Sequence, residues 1–188
     1  MTETDSAISS RTLRPSDLDQ LFDARFRQLG EEWLERQARG EVYVAVAELG
    51  GRPVARVGLD FVSDAEHGAA RLWSAHVEPG FQSRGIGAAL CLHLEGIARK
   101  HGLDVIRLDV GKDNERARRL YERLGYDVCG EATSRWSYRD GDDTVEVSED
   151  CWTMEKRIVA RHDRSVELRP KDEAGLGRSA EAGASERA

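Results

Sequence analysis

A mixed α/β domain is what this 188-residue sequence predicts, on three observations. Apolar runs with strand periodicity alternate along the chain with runs of helical spacing. Gly50-Gly51 stands between two alternating apolar segments, a strong hairpin signal. A glycine-bearing turn then links a strand to the most regular amphipathic segment, which leads into a further strand and helix.

The elements follow in order. Ile8 to Leu13 reads as a short strand stopped by Pro15. Ser16 caps a helix running to about Gln28, with Leu18, Leu21, Phe22 and Phe26 at helical spacing. Glu31 to Arg39 forms a second short helix that Gly40 ends. Val42 to Leu49 and Pro53 to Val62 are the hairpin strands, and Ala70 to Val77 is a strand closed by Pro79-Gly80. Ile86, Ala89, Leu90, Leu94, Ile97 and Ala98 make one face of a helix that Gly102 ends; His93 lies on that stripe and reads as a core histidine before a catalytic one. Val105 to Val110 is a strand, and Ala117, Leu120, Tyr121 and Leu124 define a helix closed by Gly125. Tyr126 to Trp136 and Val145 to Lys156 are the last strands, joined by the acidic turn R-D-G-D-D. One domain over 7–160 is expected between polar tails at 1–6 and 161–188, which hold too few large apolar residues to offset their ordering entropy.

Composition narrows the function. Lys plus Arg is 28 against 35 Asp plus Glu, a formal charge of -7. That balance argues against a general nucleic-acid binder and tolerates a cationic partner. Cys91, Cys129 and Cys151 form no C-x-x-C pair, so no metal site is expected, and an odd number of cysteines argues against a secreted disulfide framework. The first ten residues lack the basic start and apolar run of a signal peptide, and no apolar stretch approaches the roughly 20 residues of a membrane helix. A cytoplasmic protein without a membrane segment is the expectation.

Gln82-Ser83-Arg84-Gly85-Ile86-Gly87 carries the first chemistry. It follows a strand and opens a long helix, whose first turn presents unpaired N–H groups and a positive partial charge. Two glycines let that backbone approach an anion closely, as a pyrophosphate site requires. A dinucleotide fingerprint fails because Leu90 stands where a third glycine is needed; a P-loop fails because Ile86 and Gly87 replace Lys and Ser/Thr. The glycines equally serve a tight strand-to-helix turn.

V-E-P-G-F-Q-S-R-G-I-G-A-A-L resembles the acetyl-CoA-binding motif Q/R-x-x-G-x-G/A of the GCN5-related N-acetyltransferases (GNAT). L-D-V-G-K-D-N-E-R-A-R-R-L-Y-E-R-L-G-Y resembles that family's second motif, N-x-x-A-x-x-x-Y-x-x-x-G-F/Y, in family order. The resemblance covers Trp73 to Val128 and is weaker toward the ribosomal-protein alanine N-acetyltransferases. It implies a GNAT fold: a mixed, mostly antiparallel sheet with a central splayed parallel strand pair and helices on both faces. It implies acetyl-CoA as acetyl donor, an amine as acceptor and a possible homodimer. Residue by residue, it implies that the backbone of Ala75, His76 and Val77 pairs with the pantetheine arm. One N–H there faces the thioester oxygen, often at a β-bulge. Gln82, Ser83, Arg84, Gly85, Ile86, Gly87 and Ala88 would hold the pyrophosphate. Asn114 and Ala117 would meet the arm, and Tyr121 would protonate the leaving thiolate. Read by themselves, Asn114 also suits a helix cap and Tyr121 a core position. Of Arg116, Arg118, Arg119 and Arg123, one is available to the phosphates, on an otherwise solvated face.

The acceptor amine must lose a proton. Asp109 is the first candidate base: some family members, notably the ribosomal-protein alanine N-acetyltransferases, carry a glutamate at the matching place, and the shorter aspartate calls for a bridging water; a strand carboxylate that only pairs or solvates is the other reading. Other members place an acid or histidine where Arg71 or Trp73 stands, which leaves His76, if a bulge turns it, and then Asp60. The acceptor is expected among Trp33, Asp60, Trp73, Trp136, Tyr138 and Trp152. Asp140, Asp142, Asp143, Glu146 and Glu149 are available to attract a cation. Three functions are weighed on these residues: an N-acetyltransferase, an acyl-CoA-binding regulatory module without catalysis, and a nucleic-acid-associated protein using the arginine helix, which the overall acidity disfavours.

Overall fold

The computed structural model describes residues 8–141 and 143–158. The tails expected at 1–6 and 161–188, and Asp142 of the acidic turn, lie outside the described residues. The elements are β1 (Ser9–Thr12), α1 (Leu18–Leu21), α2 (Arg27–Ala38), β2 (Val42–Leu49), β3 (Arg52–Asp60), β4 (Ala69–Val77), α3 (Ile86–Lys100), β5 (Val105–Gly111), α4 (Glu115–Arg123), β6 (Asp127–Asp140) and β7 (Asp143–Arg157). The strands form one sheet in the order β1-β2-β3-β4-β5-β7-β6. Every neighbouring pair is antiparallel except β4 and β5, which run parallel.

Strand alternation builds two cores, one on each face. On β2, Val42, Val44 and Val46 point to Leu13, Leu18, Leu21, Phe22 and Trp33, so α1 and α2 cover that face. The intervening Ala45 and Ala47 join the larger cluster on the opposite face, where Leu90, Leu94 and Ala98 of α3 meet Ile106, Leu108 and Tyr121. Leu90 and Leu94 are essentially inaccessible, and truncating either to alanine costs about 2–5 kcal/mol. Among the described residues no helix is long and apolar enough to cross a membrane.

The N-terminal helices divide differently from the expected 16–28 and 31–39. Phe22 is extended (φ -129°, ψ 128°) and ends α1. Asp23 accepts from the Arg25 N–H at 3.2 Å and opens a single 3-10 turn, Ala24–Phe26. α2 then runs unbroken through Gly30. A Cβ on Gly30 would come within 2.7 Å of Leu18 Cδ2 and 3.2 Å of the Phe22 ring. That glycine therefore marks the close approach of α1 and α2 rather than a helix end. β6 and β7 are longer than expected, pairing from Asp127↔Glu155 out to Asp140↔Asp143.

Candidate active site

The parallel pair is in register only at Ala69↔Val105, Ala70↔Ile106 and Arg71↔Arg107. Both strands continue beyond that point. β4 remains tied to β3 as far as Val77, and β5 to β7 as far as Gly111. Held from their outer sides, they part, as the resemblance implied. A cleft of about 790 Å³ fills the gap. Trp73, Ser74, Ala75 and Val77 line one wall, Asp109, Val110 and Gly111 the other, and Asn114, Ala117 and Tyr121 come from α4 and the turn before it.

At its mouth lies the glycine-bearing turn. Ser83 (φ 62°) and Gly85 (φ 77°) both adopt the left-handed region, which curls successive backbone N–H groups toward one side. Gly85 precedes α3 and no side chain caps the helix, so its first-turn N–H groups are open to an anion. Gln82, Ser83, Gly85, Ile86, Gly87 and Ala88 line the cleft. Arg84 does not: its guanidinium lies over the Phe81 ring, 5.5 Å from the centroid. Arg116 of α4, one of the four arginines singled out on that helix, is on the cleft side. It donates to Gln82 Oε1 at 2.6 Å and Ser83 Oγ at 3.1 Å. Gln82 Nε2 in turn donates to the Val77 carbonyl at 2.9 Å.

For Asn114 and Tyr121, the two sequence readings coexist. Asn114 caps the helix, its Oδ1 accepting from the Ala117 N–H at 3.1 Å, and its amide NH₂ remains for a ligand in the cleft. Tyr121 is 6% exposed and belongs to the core, yet it lines the cleft. Its ring meets Tyr126 edge-on at 5.8 Å. Burial, with a smaller contribution from Cys91, pushes its pKa well above the usual phenol value, so it stays a proton donor across the working range. The Cys91 thiol beside it is pushed up to about 12, mainly by burial, and is no nucleophile at neutral pH.

Asp109 faces the cleft with both oxygens engaged. Arg71 Nη1 donates to Oδ2 at 2.6 Å and Thr153 Oγ1 to Oδ1 at 2.8 Å. Arg71 also pairs with Asp64, Nε to Oδ2 at 2.8 Å. Each Asp109 oxygen keeps one lone pair, so a water can still bridge it to an amine.

The residues expected on the acceptor side are placed as follows. Asp60 lies away from the cleft, 4% exposed, bound by Arg36 Nη2 at 2.8 Å and by the Val62 and Ser63 N–H groups and the Ser63 hydroxyl. Burial alone would raise its pKa; those hydrogen bonds outweigh burial and hold it below the usual carboxylate value. It is a structural carboxylate. His76 lines a neighbouring cavity with Asp19, Arg56 and Glu78, its Nε2 3.5 Å from Glu78 Oε1, and is not among the residues lining the cleft. Trp33 is a core residue, edge-on to Trp73 at 4.2 Å. Trp136 and Tyr138 cluster with Phe26 and are not among the residues lining the cleft. Trp152 lies under Lys112 and Arg118. Trp73 alone of the expected aromatics lines the cleft; its ring lies over Gly58, where any Cβ would overlap it. Of the acidic residues, Glu149 lines the cleft, packed so closely over Gly111 that a Cβ there would overlap its carboxylate.

The comparisons with known proteins agree with this geometry. Over 99 residues the chain is 35% identical to an uncharacterized N-acetyltransferase of Methanocaldococcus jannaschii, a match covering 51% of this chain and 43% of that protein. Over 69 residues it is 39% identical to the [ribosomal protein bS18]-alanine N-acetyltransferase of Escherichia coli K12, covering 37% of this chain and 45% of that protein. The chain thus spans under half the length of these curated relatives. Among solved structures, the PaiA N-acetyltransferase of Thermoplasma acidophilum in complex with coenzyme A shares the fold, with a TM-score of 0.59 and 19% identity over 80% of this chain and 99% of that one. The model of the acetyltransferase (GNAT) family matches residues 8–126, more than half of the chain, which therefore belongs to that family.

Proposed function

We propose that the chain is an N-acetyltransferase that moves an acetyl group from acetyl-CoA to a primary amine, on a small molecule or a peptide, by direct attack within a ternary complex. The observation that carries this reading is the parting of β4 and β5 between an open helix N-terminus and the Tyr121 hydroxyl. The pyrophosphate sits on the Gln82–Ala88 turn with Arg116 beside it. The pantetheine runs along Ala75 to Val77, which brings the thioester between Tyr121 and Asp109.

In the reaction the amine lone pair attacks the thioester carbonyl carbon. A C–N bond forms and the C–S bond breaks. The amine proton passes to Asp109, through a water that the short side chain leaves room for. Tyr121 hydrogen-bonds the developing thiolate and gives it a proton as it leaves. Burial pushes the phenol pKa up, so Tyr121 enters the reaction protonated and able to donate. Solvent then returns the proton to Tyr121.

The family resemblance of the cleft and the E. coli relative's name support an amine acceptor. One observation favours the second reading, an acyl-CoA-binding module without turnover: the Arg71 and Thr153 hydrogen bonds occupy Asp109. A screen of amines and N-terminal peptides with acetyl-CoA, detecting free CoA thiol with DTNB, separates the two. Thiol release that depends on an added amine supports the enzyme. CoA binding without release for every acceptor supports the module.

A further inference from the structure

β4 departs from regular strand geometry at one place. Arg56 of β3 pairs with His76 and Gly58 with Trp73, so Ser74 and Ala75 together oppose Val57. This is a bulge, with one extra residue on β4. Within it Ser74 has φ 51°, a left-handed conformation that a residue with a Cβ keeps only when its surroundings impose it. Ser74 and Ala75 both line the cleft.

The surroundings that impose it centre on Arg56. Its Nη1 donates to the Ser74 carbonyl at 2.8 Å and to the Ser74 hydroxyl at 2.7 Å. One nitrogen thus grips both the main chain and the side chain of the strained residue. Its Nε donates to the Leu21 carbonyl at 3.3 Å, at the end of α1. The guanidinium lies over two rings, 4.4 Å from the Phe22 centroid and 5.1 Å from that of Trp33. Burial pushes the Arg56 pKa down to about 10, against a smaller opposing effect of Glu78; the group remains charged at neutral pH. Desolvating a cation is costly, and a methionine would fill the same space without that cost. Apolar packing alone therefore does not account for an arginine here, whereas its donors and its place over the two rings do.

We propose that Arg56 is a positioning residue: it holds the Ser74–Ala75 bulge in the shape that presents a backbone N–H to the thioester, and it ties that shape to the segment joining α1 and α2. The catalytic consequence rests on the acetyl-transfer reading above; the hold on the bulge does not. Oxyanion donors act by being fixed before the reaction, so a bulge free to relax loses rate while the pyrophosphate site stays intact.

Arg56→Met, Ser74→Gly and the double variant test this. Glycine enters φ 51° without a Cβ penalty, so the Ser74→Gly chain needs the clamp less. Arg56→Met is expected to lower kcat by about 10- to 100-fold, part of the loss seen when one oxyanion donor is removed, with calorimetric affinity for CoA unchanged. Adding Ser74→Gly is expected to restore most of that rate, which a mere packing role would not allow. Arg56→Lys, which keeps the charge and one donor direction, should fall between, and it serves if the methionine variant folds poorly. Independently of turnover, amide hydrogen exchange across 72–77 should rise in Arg56→Met while α3 is unchanged. A double variant as slow as Arg56→Met overturns the inference, as does unchanged exchange across 72–77. If the wild type transfers acetyl to no amine, the acetyl-transfer reading falls, and the exchange measurement alone decides the role of Arg56.

Discussion

Tyr121→Phe separates the packing role that Tyr121 has in the core from the proton-donor role proposed for its hydroxyl. The ring is core: it is 6% exposed, in the cluster with Leu90, Leu94 and Met154. The hydroxyl is different, since among the described residues nothing accepts its proton and it opens on the cleft. Removing that oxygen deletes no hydrogen bond among the described residues, so the stability change should stay within about 0.5 kcal/mol, below the roughly 1 kcal/mol of an ordinary hydrogen bond. The rate should respond much more. General-acid assistance is worth about 100- to 10,000-fold, and the raised pKa of the buried phenol argues for the lower end. We expect kcat to fall about 10- to 1,000-fold, equivalent to about 1.4–4 kcal/mol of transition-state stabilisation. Urea unfolding, calorimetry with acetyl-CoA and steady-state rates on wild type, Tyr121→Phe and Tyr121→Ala resolve this. Tyr121→Ala, the control, should lose about 3–5 kcal/mol of stability through its cavity. A Tyr121→Phe protein that keeps full kcat, with chemistry rate-limiting, would make the tyrosine a packing residue and refute the reasoning.

Three further outcomes follow from particular contacts. Gly87→Val should abolish CoA binding while leaving the fold intact, because a Cβ at Gly87 meets only Leu120 Cδ2 and Val77 Cγ2, each at 3.7 Å; unchanged affinity by calorimetry would remove the turn from the binding site. Asp109→Asn should slow transfer most at low pH, where little free amine exists, and partly recover at high pH, where the amine is already neutral; a wild-type pH profile would make Asp109 structural. Asp60→Asn should cost about 1–3 kcal/mol through its hydrogen bonds to Arg36 and Ser63. Because the folded pKa of Asp60 is depressed, its contribution is present above the unfolded value near 4 and is lost as pH falls below it, so the stabilities of wild type and Asp60→Asn should converge in acid. A constant difference down to about pH 2 would contradict this.

What could be read from sequence was what the chain encodes locally. The turn at Gln82–Gly87 was legible because a left-handed glycine before an amphipathic run is a local signal, and Gly85 has φ 77° as that signal requires. Helix α3 and the β2–β3 hairpin were legible for the same reason. The parting of β4 from β5 came only through the family resemblance, since nothing in either strand says where their pairing stops. Side chains that meet across elements were not legible. Arg71 and Asp109 are 38 residues apart, and their ion pair depends on the register of a parallel pair. Asp60 reads from sequence as a last candidate base because nothing local shows that Arg36 and Ser63 hold its carboxylate. Aromatic type alone does not distinguish a core from a binding surface: Trp33 is buried in the core, whereas Trp136 is 42% exposed. Glu149 was legible only as one acid among several; Gly111 inside β5 was the available hint, since a strand glycine often marks a close approach.

The central claim is direct transfer of acetyl from CoA to an amine in the cleft between β4 and β5. A single turnover with enzyme in excess over acetyl-CoA, in the presence of the best amine from the screen, quenched and followed by mass spectrometry, tests it most directly. The account predicts one acetylated amine for each CoA released and no acetyl group on the protein at any time. Acetyl found on a side chain of the enzyme, or CoA released with acetate and no amide, would contradict it.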